Sequence, residues 1–440
     1  MTARLIVNRM AAVFILYSAL MALGLLLTSP FWLVQMLRLG KYRAGLGERF
    51  GRVPARIQTG DHRAAIWVHA VSVGEVLAIG GLVAALREAL PDFRVVVSTT
   101  THTGQKLARE RFGEANVFYF PLDFAFCIRP YVRALTPMLV VVAETEFWPN
   151  FLRVLRSSGA QVAVVNARIS DRSFPRYRKW RGLLGRVLRF VDLFLAQSEE
   201  DARRLREIGA SVDRVYVSGN LKFDVKPPQE QAAVAQLRNA LADSGASPVI
   251  VAGSTVEGEE EQVLAAFRAI QQRFPKACLI LAPRHKERFD ATKELLQRSA
   301  IAWSARSEFM DGADLAGKVL LLDSLGELAS VYALADVAFV GGSLAPRGGH
   351  NILEPAHWGV ATVVGPHTEN FRDIISIFRR ANAVKMTRPE AFSETLLELL
   401  AAENERQALG SRAKAIVGQQ MGATERTLVA LRRLMEESAR

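Results

Sequence analysis

The stretch AIWVHAVSVGE, residues 65–75, indicates the fold more directly than any other part of the sequence. Its first five residues, Ala65–His69, form an apolar run typical of a buried strand, and small residues then lead into a helical pattern that contains Glu75. The same order of apolar run, short loop and helical pattern recurs along the chain. That alternation predicts parallel sheets covered by helices.

Twelve apolar runs predict two such sheets. Seven precede residue 226, at 65–69, 94–98, 117–120, 139–143, 161–165, 193–196 and 215–218, and five follow it, at 249–252, 278–282, 319–322, 337–340 and 362–364. Between the two groups, segment 226–230 contains two adjacent prolines, as connections between domains often do. We therefore expect an α/β protein with two Rossmann-like domains, 38–225 and 226–440, that face each other across a cleft. Helices at about 403–437 are assigned to the second domain.

Segment 1–37 is predicted to be a membrane anchor. No charged residue occurs between residues 10 and 37, and 18 helical residues make about 27 Å, close to the bilayer's hydrocarbon thickness. Pro30 is expected to end this helix. A cleaved signal peptide is the alternative, although the residues around Pro30 make a poor cleavage site. More basic residues follow the segment than precede it, so the positive-inside rule places the body of the protein in the cytoplasm.

The formal net charge of +12 predicts an acidic partner, which is a nucleic acid, an anionic lipid or a phosphorylated substrate. Much of this charge lies in segment 172–189, here called the basic segment, where aromatic and aliphatic residues alternate with basic ones and no acidic residue occurs. Its basic residues are Arg172, Arg176, Arg178, Lys179, Arg181, Arg186 and Arg189. With an anchor present, this pattern favours anionic lipid over nucleic acid.

The two cysteines, Cys127 and Cys278, both lie in apolar runs and fit a reducing compartment.

Carboxylates follow two predicted strands of the first domain. Glu75 opens a helix, where it is either a general base or an ordinary first-turn residue favoured by the helix dipole. Glu144 and Glu146 follow an apolar strand, and they are candidates to bind a metal, contact a sugar or pair with a basic neighbour. Two carboxylates without a nearby His or Asp are weak evidence for a metal.

Loops of the second domain predict a nucleotide site. Polar or glycine-rich residues follow four of its strands, around Gly253, Arg284, Gly326 and the stretch 341–354. Glycines let the backbone approach a ligand closely, a helix start near Asn351 would offer free amides to a phosphate, and a carboxylate such as Glu354 suits ribose hydroxyls. No dehydrogenase fingerprint, P-loop or zinc-binding spacing is present, so hydride transfer with a nicotinamide cofactor and zinc-dependent hydrolysis are disfavoured.

Together these motifs resemble the 3-deoxy-D-manno-oct-2-ulosonic acid (Kdo) transferases of lipopolysaccharide assembly, over nearly the whole chain. The resemblance rests on segments 69–75, 144–150, 166–168, 219–224, 283–285 and 341–354. It implies a fold of the B type of glycosyltransferases (GT-B) and transfer of Kdo from CMP-Kdo to a lipid A precursor, the tetraacyldisaccharide 1,4'-bisphosphate. It also implies a single-pass protein of the inner membrane that uses no metal and binds no nucleic acid.

The resemblance also implies residue roles. Glu75 would be the base on the acceptor hydroxyl in an inverting reaction, and Glu144 and Lys222 would stabilise the transition state. CMP would be held by Pro283, Arg284, Leu325, Gly326, Glu327, Asn351, Ile352, Leu353 and Glu354. The family usually has Met where Leu325 stands and Pro where Ile352 and Lys286 stand.

Two other functions are compatible with parts of the sequence. A B-type transferase that uses a UDP-sugar would share the loops of the second domain. A membrane-tethered nucleic-acid-binding protein would use the positive charge, but it would leave Glu75, Glu144 and Glu354 without a role.

Overall fold

The computed structural model describes residues 2–39, 44–58, 63–225, 232–310 and 312–438. The chain divides into two compact units, one of residues 1–225 with 421–440 and one of residues 226–420. Each unit contains a seven-stranded sheet whose paired strands are all parallel. The predicted α/β class with two Rossmann-like sheets is therefore confirmed. The proline-containing connection at 226–230 lies outside the described residues.

The strand order of the first sheet is β3-β2-β1-β4-β5-β6-β7. Its strands are β1 (Ala65–His69), β2 (Arg94–Thr99), β3 (Val117–Tyr119), β4 (Pro137–Ala143), β5 (Gln161–Ala167), β6 (Leu193–Ala196) and β7 (Val215–Val217). The order of the second sheet is β10-β11-β9-β8-β12-β13-β14. Its strands are β8 (Val249–Thr255), β9 (Cys278–Pro283), β10 (Trp303–Ala305), β11 (Val319–Leu321), β12 (Val337–Val340), β13 (Ala361–Val364) and β14 (Lys385–Met386).

All twelve predicted strands are present. The prediction missed the two edge strands β10 and β14, because they are two or three residues long and contain polar residues instead of an apolar run.

Helices cover both sheets. The first unit contains α1 (Thr2–Leu39), α2 (Leu46–Arg49), α3 (Ala55–Gln58), α4 (Val73–Ala78), α5 (Gly80–Ala89), α6 (His102–Phe112), α7 (Ala125–Leu135), α8 (Pro149–Ser158), α9 (Phe174–Lys179), α10 (Arg181–Leu188) and α11 (Glu199–Glu207). The second contains α12 (Ala232–Ser244), α13 (Glu259–Arg273), α14 (Phe289–Arg298), α15 (Leu328–Val331), α16 (Leu353–Trp358), α17 (Arg372–Arg380), α18 (Phe392–Ala401) and α19 (Glu403–Gln420). The last helix is α20 (Ala423–Ser438).

The core of the first unit is built around β1. This strand pairs with β2 on one side and β4 on the other, and all five of its residues are buried. Trp67 packs edge-on against Phe151, with ring centroids 5.0 Å apart, and its Nε1 donates to Ser98 Oγ at 2.7 Å. The one polar atom of the indole is thereby satisfied inside an apolar core.

Helix α20 corrects the predicted domain assignment. We expected it in the second domain, but it lies in the first unit, where it packs against α5 and buries Leu428 and Leu431. Asp224 fixes its start, because its carboxylate accepts hydrogen bonds from the backbone amides of Gly422 and Thr424. The mixed charges of the sequence did not show this, since only one stripe of the helix is buried.

Helix α1 corrects the prediction at Pro30, which lies inside a continuous helix instead of ending it. Proline removes the amide that would bond to the carbonyl four residues earlier, on Leu26. Ser29 Oγ donates to that carbonyl at 2.7 Å, so the helix continues.

The 22 residues Val13–Val34 of α1 form a helix that is long and apolar enough to span a bilayer, and most of their side chains are exposed. Near the start of the helix, Phe14 packs against Phe190 of the first unit.

Candidate active site

In the first unit, the candidate side chains follow three strands at the same end of the sheet. Because parallel strands share their direction, the loops after β1, β4 and β7 leave from the same edge. Glu75, Glu144 and Lys222 lie just after these three strands, in that order. The sheet therefore gathers residues that are far apart in the sequence.

Glu75 occupies the first turn of α4, and its carboxylate is tied to its own loop. Ser72 is the N-cap of the helix, and its Oγ donates to Glu75 Oε1 at 2.9 Å. The Val71 amide donates to Glu75 Oε2 at 2.8 Å. Glu75 thus lies in a first turn, where both interpretations of the sequence placed it, and its carboxylate accepts hydrogen bonds from its own loop. It is also only 9% exposed, which is unusual for a carboxylate of a first turn.

Burial decides the acidity of Glu75. Burial, the largest cause, and the negative charges of Glu144 and Glu146 raise the pKa of this carboxyl, whereas the hydrogen bonds from Val71 and Ser72 lower it. The resulting pKa is about 7. A carboxyl group with a pKa near 7 can accept a proton at neutral pH and hold it. These electrostatics are those required of a general base.

Glu144 pairs with a basic neighbour, which was one of three alternatives for the Glu144 and Glu146 pair. Lys222 Nζ lies 3.1 Å from Glu144 Oε1, and both side chains are about three-quarters buried. Glu144 has φ of 58°, a left-handed conformation that is rare outside glycine and recurs at functional sites. Burial raises the pKa of Glu146 as well. Within the described residues, no group of three or more His, Cys, Asp or Glu side chains is arranged to hold a metal.

In the second unit, part of the predicted nucleotide group comes together. Arg284 directly follows β9, and its charge acts on both His350 and Glu354. Burial, with the nearby charges of Arg284 and His285, lowers the pKa of His350 to about 4. Burial raises the pKa of Glu354, whose Oε1 accepts a hydrogen bond from Asn351 Nδ2 at 3.2 Å. The grouping of these residues fits an anionic ligand with hydroxyl groups.

The other predicted nucleotide residues are placed differently. Ile352 and Leu353 are each 1% exposed, so only their backbone can meet a ligand. Leu325 is 69% exposed. Gly326 has φ of 92°, which favours glycine at this turn. Glu327 already accepts from Arg306 Nε at 3.3 Å.

The glycine-rich loops are not the anion cradle that the sequence suggested. Residues 253–255 form the end of β8 instead of a loop. The backbone amides of Gly342, Ser343, Leu344 and Ala345 all donate to the carboxylate of Glu259, at 2.7 to 3.1 Å. A fifth amide, that of Val256, donates to the same carboxylate at 3.1 Å. The protein's own Glu259, whose role the sequence did not indicate, therefore occupies these amides. The helix start near Asn351, where a phosphate is expected, is a different place in the chain, and α16 begins there at Leu353.

The basic segment forms α9 and α10, and all seven of its basic residues are exposed. Phe174, Tyr177 and Leu184 pack against the core of the first unit. Trp180 stays 59% exposed beside these charges. The segment is thus a cationic surface with an exposed aromatic side chain, as predicted, and this composition suits a membrane interface.

Replacing Glu259 by Gln is expected to destabilise the second unit by about 3 kcal/mol, because an amide NH₂ would face buried N–H groups that lose their acceptor. Urea unfolding of the purified protein in detergent measures the change. Glu261→Gln, an exposed site in the same helical turn, is the matched control. A Glu259→Gln variant as stable as this control would contradict the role given to Glu259.

Replacing Glu75 by Gln is expected to stabilise the protein at pH 8, by about 2 kcal/mol. A carboxyl group whose pKa is raised on folding stabilises the folded state fully below its ordinary pKa of 4.5, and this contribution is lost as the pH rises through about 7. The advantage of the variant should therefore grow between pH 5 and pH 8 in urea unfolding. Glu88→Gln, an exposed site, should show no such trend. An equal difference at both pH values would mean that burial does not raise the pKa of Glu75.

Comparisons with known proteins agree with this architecture. A family model described as 3-Deoxy-D-manno-octulosonic-acid transferase (kdotransferase) matches residues 44–225. The chain is 38% identical to a 3-deoxy-D-manno-octulosonic acid transferase of Bordetella pertussis over 405 residues, which cover 89% of this chain and 92% of the relative. It is 32% identical to the Haemophilus influenzae enzyme of the same name over 402 residues, 90% of this chain and 93% of the relative.

Among solved structures, the UDP-GlcNAc 2-epimerase of Neisseria meningitidis matches with a TM-score of 0.53 at 13% identity, over 81% of this chain and 99% of the epimerase. That likeness shows the fold alone, which is the GT-B type. The two transferases match at higher identity and over nearly their full length. The chain therefore belongs to the 3-deoxy-D-manno-octulosonic acid (Kdo) transferase family.

Proposed function

We propose that this protein transfers Kdo from CMP-Kdo to the lipid A precursor, the tetraacyldisaccharide 1,4'-bisphosphate, with inversion at the anomeric carbon and without a metal ion. One observation supports the proposal above all others. In this chain of the Kdo transferase family, the carboxyl group of Glu75 is buried and its pKa is raised to about 7. It lies at the same end of the sheet as the ion pair of Glu144 and Lys222.

Glu75 is proposed to be the general base. Its carboxylate takes the proton of an acceptor hydroxyl while that oxygen forms a bond to the anomeric carbon of Kdo. The bond from this carbon to the phosphate oxygen of CMP breaks, and CMP leaves with the electron pair. Because the acceptor attacks from the face opposite to CMP, a single displacement inverts the anomeric carbon. A base that is half ionised near neutral pH suits such a step.

Cationic side chains are proposed to stabilise the charge on the departing CMP, so that no metal is needed. Lys222 Nζ lies 3.1 Å from Glu144 Oε1, and this ion pair fixes the position of its charge. Arg284 in the second unit is exposed, and it is suited to grip a phosphate through two parallel hydrogen bonds. Positioned charges of this kind lower the barrier to departure of a phosphate.

The second unit is proposed to bind CMP. Pro283 and Arg284 would contact the base and phosphate, Glu354 would accept ribose hydroxyls, and Asn351 keeps the Glu354 carboxylate in place. Ile352 and Leu353 contribute backbone groups, since their side chains are buried. The turn of Leu325, Gly326 and Glu327 completes the set.

The lipid acceptor is proposed to reach the first unit from the membrane surface. Helix α1 supplies the apolar attachment to the inner membrane, and the basic segment supplies cations for the acceptor phosphates and anionic headgroups. The body of the protein would lie on the cytoplasmic side, where the basic residues after the anchor are expected.

Glu75→Gln is expected to lower kcat by about 100-fold or more, because the variant cannot accept a proton. CMP should still raise the Tm of the variant as it raises that of the native protein, whereas UDP should not.

The kcat/KM of the native protein should rise with pH up to about 7 and then level off, since the base must be ionised.

Glu88→Gln serves as the control in these assays, because its side chain is exposed on α5. Turnover of Glu75→Gln near that of the control would exclude Glu75 as the base. Stabilisation by UDP instead of CMP would favour a UDP-sugar donor.

Neutralising Arg176, Arg178, Lys179 and Arg181 is expected to raise the KM for the lipid acceptor at least about 10-fold with little change in kcat, because each charge near an anionic surface contributes about 1 kcal/mol. Kinetics in mixed micelles of varied acceptor content measure both constants. A control variant neutralises four exposed arginines of the second unit, Arg273, Arg379, Arg380 and Arg388. An equal acceptor KM in the two variants would show that the basic segment does not bind the acceptor.

A further inference from the structure

The amide side chains of Gln197 and Asn220 and the backbone carbonyl of Asn166 form a hydrogen-bonded chain across the strand ends of the first sheet. We call Asn166, Gln197 and Asn220 the amide relay. Gln197 Nε2 donates to the backbone oxygen of Asn166 at 2.9 Å, and Asn220 Nδ2 donates to Gln197 Oε1 at 2.9 Å. Asn166 is in β5, Gln197 follows β6 and Asn220 follows β7, so the relay connects three neighbouring strands.

The relay is buried. Asn166 is 1%, Gln197 8% and Asn220 7% exposed. Hydrogen bonds between buried amide groups are strong and directional, so those of the relay fix the geometry of the residues they join. The side-chain amide of Gln197 forms a hydrogen bond through each of its polar atoms, since Nε2 donates and Oε1 accepts. Its backbone amide also donates to Ala167 O at 3.0 Å, which fixes the start of the side chain.

The far end of the relay holds Lys222. Asn220 Oδ1 accepts from the backbone amide of Lys222 at 3.0 Å, and Asn166 Oδ1 accepts from that of Leu221 at 3.0 Å. These two bonds set the start of the short 3-10 helix Leu221–Asp224. Leu221 is fully buried, so the helix cannot turn without exposing it.

The near end of the relay lies beside Glu144. The backbone amide of Glu144 donates to Val165 O at 2.9 Å, one residue before Asn166. Asn166 itself has φ of 52°, so its backbone is left-handed like that of Glu144. The relay thus borders both members of the pair whose side-chain atoms meet at 3.1 Å.

From these contacts we propose that Gln197 is a positioning residue, which sets the place of Lys222 relative to Glu144 through Asn220 and Asn166. This inference rests on the proposed role of Lys222 in transfer. Gln197 has no role in the motifs that carry the family resemblance. A leucine at this position would fill the space but form no hydrogen bond, and an ionised glutamate would accept from Asn220 but could not donate to Asn166.

Gln197→Leu is expected to lower kcat about 10- to 100-fold while the KM for CMP-Kdo stays unchanged. A misplaced Lys222 stabilises the transition state less well but does not change the binding of the donor. Gln197→Glu should show the same split and serves as the second variant if the Leu variant does not fold. Val162→Ala removes buried atoms at the opposite end of β5 and controls for lost stability. It should lower the Tm while kcat stays near that of the native protein.

A double variant separates positioning from a general structural role. If Gln197 acts through Lys222, adding Gln197→Leu to Lys222→Ala should cause no further loss of kcat. If the fold-loss of kcat in the double variant equals the product of the two single losses, the inference is overturned. It is also overturned if both Gln197 variants keep the native kcat while Lys222→Ala lowers it. Native kcat in Lys222→Ala itself would instead reject the proposed role of Lys222.

Discussion

The parallel pairing of strands in the first sheet is the constraint on which the candidate site depends. It brings the loops after β1, β4, β5, β6 and β7 to one edge, although their residues span 65 to 225 in the sequence. This order brings Glu75 and Glu144 to neighbouring strands, and the loop after β7 brings Lys222 to Glu144. A shift of the register between β1 and β4 would move Glu75 away from Glu144, and the pKa of Glu75 would lose one of the charges that raise it.

Two buried carboxylates of this protein, Glu259 and Glu75, differ in the number of hydrogen bonds that they accept. Glu259 is fully buried, and five backbone amides donate to its oxygens, so it organises a loop. Glu75 has two donors and two acidic neighbours, and its pKa rises to about 7. Burial alone therefore does not determine the role of a carboxylate. The hydrogen bonds that its oxygens accept matter as well.

The sequence predicted the sheets well, because buried parallel strands are continuous apolar runs and their ends place polar residues at one edge. It also placed Glu75 in a first turn and Glu144 after a strand. It was wrong where side chains from elsewhere meet the backbone. Ser29 compensates for Pro30, Glu259 occupies the glycine-loop amides, and Asp224 draws α20 to the first unit. Gln197 was missed because one glutamine after a strand carries no pattern, although its position after β6 follows the same rule as the other site residues.

The most direct test of the account is the product itself. Purified protein in detergent would be incubated with CMP-Kdo and the tetraacyldisaccharide 1,4'-bisphosphate, with a metal chelator present, and the lipid would then be weighed by mass spectrometry. The account predicts lipid heavier by the mass of one or more Kdo residues, with one CMP released for each. Unmodified lipid beside intact CMP-Kdo, or product that forms only when a divalent metal is restored, would contradict it.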